Sequence, residues 1–261
     1  MSIHKTAVVH KKAELGDVEV GPFAVIEANV ILGDGAVVGA HAVVHAHTSV
    51  GAGTRIGPHA VIGGQPQDRK HDLNAPTRLE IGANNVFREF TTAHRGSSGG
   101  TGLTVIGNDN YFMASSHVAH DCVVGTGVMF ANSAAIAGHV QVGDGAVLGG
   151  LCAVHQHCRI GRLSMLGGGA MAAQDVPPFT IAQGDRARLY GLNITGLKRA
   201  GLSSEVVSTL KDAWRMLFVG ELPRRTAISR VAEQRGDYPE VLELLAFLRS
   251  SQRGVCRPGM G

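Results

Sequence analysis

The chain has 261 residues, of which 44% are apolar, only 5% are aromatic and 36 are glycine. This composition indicates an aliphatic core with many tight turns rather than an aromatic-centred sandwich. No apolar run approaches the roughly 18 residues that span a bilayer, the N-terminus lacks the apolar stretch of a signal peptide, and the net charge is only +3. We therefore expect a soluble cytoplasmic protein with no integral membrane association and no nucleic-acid partner.

Large apolar residues recur at intervals of six through most of the chain. The first series is Val20, Ile26, Leu32, Val38, Val44, Val50, Ile56 and Ile62. The second series is Ile106, Phe112, Val118, Val124, Phe130, Ile136, Val142, Leu148, Val154, Ile160 and Leu166. Three such hexads make one triangular coil, and successive coils stack as parallel strands. The period predicts a β-solenoid, a left-handed parallel β-helix of hexapeptide repeats over residues 1–185.

Small or β-branched residues occupy the position four after almost every large apolar residue of the two series, and three cysteines fall there: Cys122, Cys152 and Cys158. The chain contains no CxxC pair, and we expect no secretory context. These positions predict buried free thiols rather than disulfides or metal ligands.

The six-residue frame is interrupted twice between the two series. The interruptions are "GGQPQDRKHDLNAPTR" (63–78) and "HRGSSGGTGL" (94–103), both rich in Gly, Pro, Ser or charge. We expect them to be loops extruded from the coil, where function tends to lie on a rigid scaffold.

Helical patterns replace the hexads after "DVPPF" (175–179), and we assign residues 186–261 to an α-helical C-terminal domain. Ser203 or Ser204 is a candidate cap for a first helix, whose apolar stripe is 206, 207, 210, 213, 214, 217 and 218. "PRRTAISRVAEQRG" (223–236) and "YPEVLELLAFLRSSQRG" (238–254) predict two further helices. From Phe179 onward 13 Lys/Arg face 8 Asp/Glu, a balance of +5. This charge suits either an acidic partner or a solvated helical surface.

A cluster of histidines is brought together by the predicted stacking of coils. Residues 18 apart lie above one another, so Gly138 and Gln156 follow His120 in one column. The residues expected to converge across three coils are His117, His120, Asp121, Gly138, His139, His155 and Gln156.

Three chemical interpretations of this cluster remain open. His120 could act as a general base held by Asp121 or by a backbone group, with a backbone N–H near Gly138 facing an oxyanion. Several histidines could instead bind a divalent metal, as between subunits of the gamma-class carbonic anhydrases. The third interpretation is polar residues that decorate the turns without chemistry. The residues favour a base and no metal, because no compact ligand signature is present and Asp121 suits an orienting role.

The chain resembles, over nearly its full length, the acyl-carrier-protein–UDP-N-acetylglucosamine O-acyltransferases. The resemblance is carried by "PQDRK" (66–70), "PTRLEIG" (76–82), "TTAHRG" (91–96), "HVAHDCVVG" (117–125), "AGHVQVGD" (137–144), "AVHQHCRIG" (153–161), "AQDVPPFTIAQGD" (173–185) and "GLNITGLKR" (191–199). It implies a homotrimer with active sites between neighbouring β-helices. It also implies transfer of a 3-hydroxyacyl chain from acyl carrier protein to the 3-hydroxyl of UDP-N-acetylglucosamine, the first step of lipid A biosynthesis. No cofactor is implied beyond the carrier's phosphopantetheine.

The resemblance also assigns roles to particular residues. His120 resembles the general base, Asp121 its partner, and Gly138 the oxyanion donor through its backbone N–H. The residues that match sugar, nucleotide or acyl-donor contacts are Gln67, Asp68, Lys70, His117, His139, His155, Gln156, Asn193 and Arg199. Gly168 matches the floor of the acyl groove, where a bulky residue would shorten the accepted chain.

Three departures from the family pattern fall on substrate-facing elements. The loop after Lys70 reads "HDLNAPT", one residue longer than usual and without Gly-Glu before the proline. Thr195 replaces a common acidic residue, and Ala200 replaces the second of two adjacent basic residues. These changes leave open a related UDP-amino sugar as acceptor, an ester or amide product, the acyl length, and coenzyme A as the donor's carrier.

Overall fold

The computed structural model describes residues 1–259 and has three long sheets that wind around one apolar axis. Sheet A contains β1 (Ser2–Ile3), β4 (Glu19–Val20), β7 (Val37–Val38), β10 (Arg55–Ile56), β13 (Val86–Phe87), β16 (Tyr111–Phe112), β19 (Met129–Phe130), β22 (Val147–Leu148), β25 (Met165–Leu166), β27 (Thr180–Gln183) and β28 (Arg188–Leu192). Sheet B contains β2 (Val8–Val9), β5 (Val25–Ile26), β8 (Val43–Val44), β11 (Val61–Gly64), β14 (Thr92–His94), β17 (His117–Val118), β20 (Ala135–Ile136), β23 (Ala153–Val154) and β26 (Met171–Ala172). Sheet C contains β3 (Glu14–Leu15), β6 (Ile31–Leu32), β9 (Thr48–Val50), β12 (Arg78–Ile81), β15 (Leu103–Ile106), β18 (Val123–Val124), β21 (Gln141–Val142) and β24 (Arg159–Ile160).

The predicted left-handed β-helix is confirmed, and its register follows the hexads. Where no loop intervenes, most neighbouring strands pair in parallel with partners 18 residues apart, as in Met129 opposite Val147. Across the loops the spacing rises to 25 or 31 residues, as in Val86 opposite Tyr111 and Arg55 opposite Val86. The second residue of these two-residue strands points to the axis, and Phe112, Phe130 and Leu148 are fully buried. Phe112 stacks on Phe87 with ring centroids 4.6 Å apart. The apolar period of six is therefore the inward face of the coil.

Each coil has three corners, which determine where polar side chains can lie. The first corner joins sheet A to sheet B, the second joins B to C, and the third joins C to A. A residue with a left-handed backbone occupies most corners; at the second corner these include Asp121, His139 and His157, with φ of 58°, 62° and 63°. Asp, Asn and His tolerate this conformation better than most side chains.

The two predicted loops are confirmed and both leave the coil at the second corner. One spans residues 65–77 between β11 and β12, and the other spans residues 95–102 between β14 and β15. Both loops therefore project from the corner that carries His120 and Asp121.

The C-terminal region has four α-helices and one π-helical turn. The elements are α1 (Ile194–Arg199), α2 (Ser204–Trp214), the π-helical turn Arg215–Val219, α3 (Arg224–Arg235) and α4 (Pro239–Arg249). Ser203 caps α2 by accepting from the Val206 N–H at 3.2 Å. The sequence patterns missed α1, which is only six residues long, and the π-helical turn, which takes over the apolar stripe after Trp214.

The helical region is joined closely to the last coils. β28 extends sheet A by pairing antiparallel with β27, and the C-terminal tail forms a bridge between Val255 and Asp175. The Arg162 guanidinium pairs with the Glu243 carboxylate of α4 at 2.8 Å. The division at 185/186 stays a prediction. Among residues 1–259, no helix has the length and apolar character needed to cross a membrane.

All four cysteines are buried free thiols, as predicted for Cys122, Cys152 and Cys158. Burial raises the pKa of the Cys122 and Cys152 thiols to about 12. These two groups are protonated thiols near neutral pH, and a thiolate is the form that acts as a nucleophile.

Candidate active site

His120 and Asp121 form a tight pair at the second corner. The His120 Nδ1 atom lies 2.7 Å from Asp121 Oδ2. The Asp121 side chain is fully buried, whereas the His120 side chain retains 15% of its exposure. Because the carboxylate accepts the Nδ1 proton, the second nitrogen, Nε2, is the one available as a base.

The Asp121 carboxylate receives further hydrogen bonds from the loop of residues 95–102. Oδ2 accepts from the Ser97 hydroxyl at 2.6 Å, and Oδ1 accepts from the Thr101 hydroxyl and the Gly102 N–H, both at 3.0 Å. Burial alone would raise the pKa of this carboxyl, but the bonds from Ser97, His120 and Thr101 outweigh burial and lower the pKa to about 2. Asp121 is therefore an anion throughout the neutral pH range.

Gly138 lies directly against the imidazole of His120, as the column predicts. A Cβ at Gly138 would be 2.6 Å from His120 Cε1 and 2.8 Å from Nε2. The residue-138 N–H makes no hydrogen bond within residues 1–259, whereas its carbonyl accepts from the His157 N–H. A glycine here lets the ring approach the backbone and leaves one donor beside the basic nitrogen.

His139 and His157 lie one and two coils beyond Asp121, in the column next to that of His120. The His139 ring meets the His120 ring edge-on at 5.3 Å and stacks on His157 at 4.4 Å. Burial is the main cause that lowers the pKa of His139, and His157 and His120 add to it, while Asp121 and Asp68 oppose it.

His117 lies on β17, on the sheet B side of the same corner. Its Nδ1 atom lies 2.7 Å from the Thr92 hydroxyl, and its ring contacts His94 edge-on at 4.9 Å. Burial lowers the pKa of His117, with a further contribution from His120. His94 is buried more deeply, and burial together with nearby histidines lowers its pKa to about 4. These two rings are neutral near pH 7.

The other predicted residues of the second corner are exposed at its rim. Gln67 and Lys70 are exposed on the loop of residues 65–77. His155 and Gln156 are exposed one coil beyond Gly138, and His155 Nδ1 lies 3.1 Å from the Arg253 guanidinium of the C-terminal tail. The roles of these residues stay predictions.

Asn193, Arg199 and Gly168 are not brought to His120 within one chain. Asn193 caps α1 and donates to the Leu163 carbonyl at the third corner. Arg199 is exposed at the end of α1, and Gly168 is exposed at the first corner, between β25 and β26. The three residues thus lie on other edges of the triangular coil.

Sequence patterns missed three residues of the site: His157, Ser97 and Thr101. His157 is 18 residues after His139, so the same spacing that placed Gln156 above Gly138 could have placed His157 above His139. Ser97 and Thr101 lie in an extruded loop that has no register with the coil. No signal in the repeat could have placed their hydroxyls on Asp121.

The metal alternative has a geometric counterpart in the same cluster. Ligand atoms of His120, Asp121 and His139 lie within 4.8 Å of one another. However, both Asp121 oxygens already accept hydrogen bonds from protein donors, including two hydroxyls and two backbone N–H groups. A cation would have to displace several of these bonds, so the arrangement suits a carboxylate that orients an imidazole.

The coil and its repeats place the protein in a class. A family model described as bacterial transferase hexapeptide (six repeats) matches residues 16–46 and 103–138. A second, described as UDP N-acetylglucosamine O-acyltransferase, domain 2, matches residues 175–256. The protein is a hexapeptide-repeat acyltransferase with a left-handed β-helix.

Individual relatives narrow this class to one family. Acyl-(acyl-carrier-protein)–UDP-N-acetylglucosamine O-acyltransferase from Trichlorobacter lovleyi is 53% identical over 98% of this chain and 100% of its own length. The protein of that name from Thermodesulfovibrio yellowstonii is 46% identical over 98% of this chain and 99% of its own. A solved UDP-N-acetylglucosamine acyltransferase from Bacteroides fragilis has a TM-score of 0.95 at 36% identity, over 98% of this chain and 100% of that chain. The chain belongs to the acyl-(acyl-carrier-protein)–UDP-N-acetylglucosamine O-acyltransferase family, which confirms the resemblance.

Acidification should expose the cost of keeping His94 neutral. Because burial lowers its pKa from 6.5 to about 4, the unfolded chain binds this proton first, and stability falls between those pH values. We expect His94→Gln to remove up to about 3 kcal/mol of that loss, at about 1.4 kcal/mol per pH unit. Urea unfolding from pH 7 to 4 measures it.

The surface variant His10→Gln serves as the control, and its free energy of unfolding should change with pH as that of the wild type does. An equal loss of unfolding free energy between pH 7 and 4 in the wild type and both variants would contradict the lowered pKa of His94.

Proposed function

We propose that the protein transfers a 3-hydroxyacyl chain from acyl carrier protein to the 3-hydroxyl of UDP-N-acetylglucosamine, the first step of lipid A biosynthesis. The observation that supports this most directly is the His120–Asp121 pair beside Gly138, whose N–H has no hydrogen bond partner in the described part of the chain. One imidazole, one buried anion and one backbone donor are the groups that attack of a hydroxyl on a thioester requires.

The reaction proceeds in two proton transfers at His120 Nε2. In the first, Nε2 takes the proton of the sugar 3-hydroxyl while the oxygen of that hydroxyl forms a bond to the thioester carbonyl carbon. The Gly138 N–H donates to the oxyanion that forms, and the Asp121 carboxylate stabilises the imidazolium. In the second, the oxyanion collapses, the carbon–sulfur bond breaks, and Nε2 returns the proton to the phosphopantetheine sulfur. No covalent enzyme intermediate and no metal are needed.

The complete site is formed by more than one chain in this proposal. His120 lies at the second corner, whereas Asn193 and Gly168 lie at the third and first corners. A homotrimer that sets the second corner of one β-helix against another edge of its neighbour joins them. Asn193 and Arg199 then serve the nucleotide, the latter through its fork of donors. Gln67, Asp68, Lys70, His117, His139, His155 and Gln156 contact the sugar or the acyl donor.

The acceptor sugar is the finer part of the proposal. Thr195 and Ala200 are both exposed on or beside α1, where they would approach the nucleotide sugar. Their loss of charge relative to the family pattern makes a related UDP-amino sugar the alternative acceptor. Turnover with a panel of UDP-sugars, and with carrier-protein and coenzyme A thioesters, separates these cases.

Removing the imidazole should abolish transfer without unfolding the protein. We expect His120→Ala to lower kcat by at least ~10²–10⁴, the usual contribution of general-base catalysis, with little change in thermal stability because the ring is partly exposed. A thioester-cleavage assay on purified trimer and a thermal melt measure both quantities.

Metal content distinguishes the competing chemistry in the same preparations. Stoichiometric zinc or iron, with activity lost to chelators and restored by metal, would replace this mechanism by a metalloenzyme. Stable protein with no turnover on any acyl donor would instead indicate a scaffold.

Salt should weaken binding of the acyl donor more than binding of the sugar nucleotide. Lys198, Arg199, Arg224 and Arg225 are exposed and have no carboxylate within 4.0 Å among residues 1–259. They are available to an acidic carrier protein, and such attraction is screened by salt.

The double variant Arg224→Gln/Arg225→Gln should raise the KM for the carrier-protein donor about fivefold, from about 1 kcal/mol of exposed charge pairing. The KM for the UDP-sugar should not change. Lys11→Gln/Lys12→Gln, at the other end of the β-helix, is the matched control. An unchanged donor KM in both variants and in salt would show that the basic surface is only solvated.

Gly168 should limit the length of the acyl chain. Its backbone is ordinary, and a Cβ there would meet only the Gly150 carbonyl oxygen, at 3.4 Å. A side chain at residue 168 is therefore compatible with the rest of its own chain and would project outward into the proposed groove. We expect Gly168→Met to favour an acyl chain several carbons shorter, because four buried methylenes contribute roughly 3 kcal/mol.

The alternative is that glycines here serve only tight turns. Gly127 has a φ of +68° at the third corner, so Gly127→Ala should lower stability without changing the preference order. A series of 3-hydroxyacyl donors of about ten to sixteen carbons, assayed on all three proteins, compares them. An unchanged order in Gly168→Met would contradict the proposed groove.

A further inference from the structure

The loop of residues 95–102 lies against the Asp121 carboxylate, and the proposed reaction gives this loop no role. Ser97, Gly100, Thr101 and Gly102 surround the carboxylate, and we call these four residues the carboxylate clamp. Ser97 is 1% exposed, so its hydroxyl has no competing contact with bulk water.

The clamp supplies donors to both oxygens of Asp121. Oδ2 accepts from the Ser97 hydroxyl at 2.6 Å and from the Ser97 N–H at 3.1 Å. Oδ1 accepts from the Gly102 N–H and the Thr101 hydroxyl at 3.0 Å. Hydrogen bonds of this charge-assisted kind are about twice as strong as neutral ones, so they hold the plane of the carboxylate.

Gly100 shows how closely the loop is packed on this group. A Cβ at Gly100 would lie 2.4 Å from Asp121 Cγ and Oδ2, and 2.6 Å from Oδ1. The φ of Gly100 is not in the left-handed region, so its backbone does not require glycine. Close approach to the carboxylate is the reason that no side chain fits.

Two imidazoles compete for the same oxygen. Asp121 Oδ2 lies 2.7 Å from His120 Nδ1 and 3.9 Å from His139 Nε2. A modest rotation of an unrestrained carboxylate would shorten the second contact at the expense of the first. His120 would then lose both its tautomer and the anion that stabilises its protonated form.

We propose that the carboxylate clamp holds Asp121 on His120 rather than on His139, and that Ser97 and Thr101 are positioning residues for the base. The clamp acts through Asp121 and touches no substrate. Its catalytic consequence rests on the proposed acyltransfer, whereas the choice of imidazole is a property of the free protein.

The test removes the two side-chain donors and keeps their shapes. Ser97→Ala, Thr101→Val and the double variant are compared with Ser97→Thr and Thr101→Ser, which retain a hydroxyl. We expect kcat to fall about 10- to 100-fold in the double variant with KM nearly unchanged, and the conservative variants to recover most of the loss.

Proton NMR of the free trimer tests the geometry without turnover. A downfield resonance of the hydrogen-bonded His120 Nδ1 proton is expected in the wild type and in Ser97→Thr. It should be absent in His120→Ala and weakened or lost in the double variant. Loss of this signal in the double variant supports the clamp even if no acyl donor turns over. The NMR experiment therefore distinguishes a failure of the clamp proposal from a failure of the proposed acyltransfer.

Gly100→Ala gives a second approach that removes no hydrogen bond donor. Its methyl group should displace the carboxylate and reproduce the double variant in both kcat and the NMR signal. Thr126→Val is the control for the loss of a hydroxyl in the double variant. It removes a hydroxyl that accepts from the Asn108 N–H at a different corner. A wild-type kcat and a wild-type downfield resonance in the folded double variant would overturn the proposal.

Discussion

Stacking of coils along one axis is the constraint on which the rest of this structure depends. Each backbone N–H of a strand donates to the coil beside it, as from Val123 to the Val140 carbonyl at 3.0 Å. Coils are spaced at about 4.8 Å, and wherever no loop intervenes a residue's neighbours are about 18 positions away. A hexad therefore determines both which side chains are buried and which surface residues share a column.

The same constraint explains why the site lies at the second corner. An insertion of any length other than a whole coil would break the register, so extra residues must leave the coil at a corner and return to it. Both extruded loops leave at the corner of His120. The rigid coil holds the imidazole, and the loops supply polar groups that a repeat of short strands cannot supply.

Electrostatics at this corner follow from a buried anion surrounded by donors. Asp121 is ionised in spite of burial because hydroxyl, imidazole and backbone donors all point to it. The neighbouring histidines are affected in the opposite sense, since burial disfavours their charged forms at His94, His117 and His139. The site thus combines one permanent negative charge with several neutral rings, which suits proton transfer at a single imidazole.

Much of this arrangement could be read from the sequence, because a strict period of six has one architectural solution. The hexads predicted the coil, the broken frame predicted both loops, and the column placed Gly138 beside His120. The sequence could not place Ser97 and Thr101, since an extruded loop has no register and its path depends on packing. It also missed α1, a helix of six residues that is held through its Asn193 cap to the Leu163 carbonyl. Local periodicity determined the scaffold and the position of His120, whereas only tertiary contacts decided which donors surround Asp121 and which corner each remaining residue occupies.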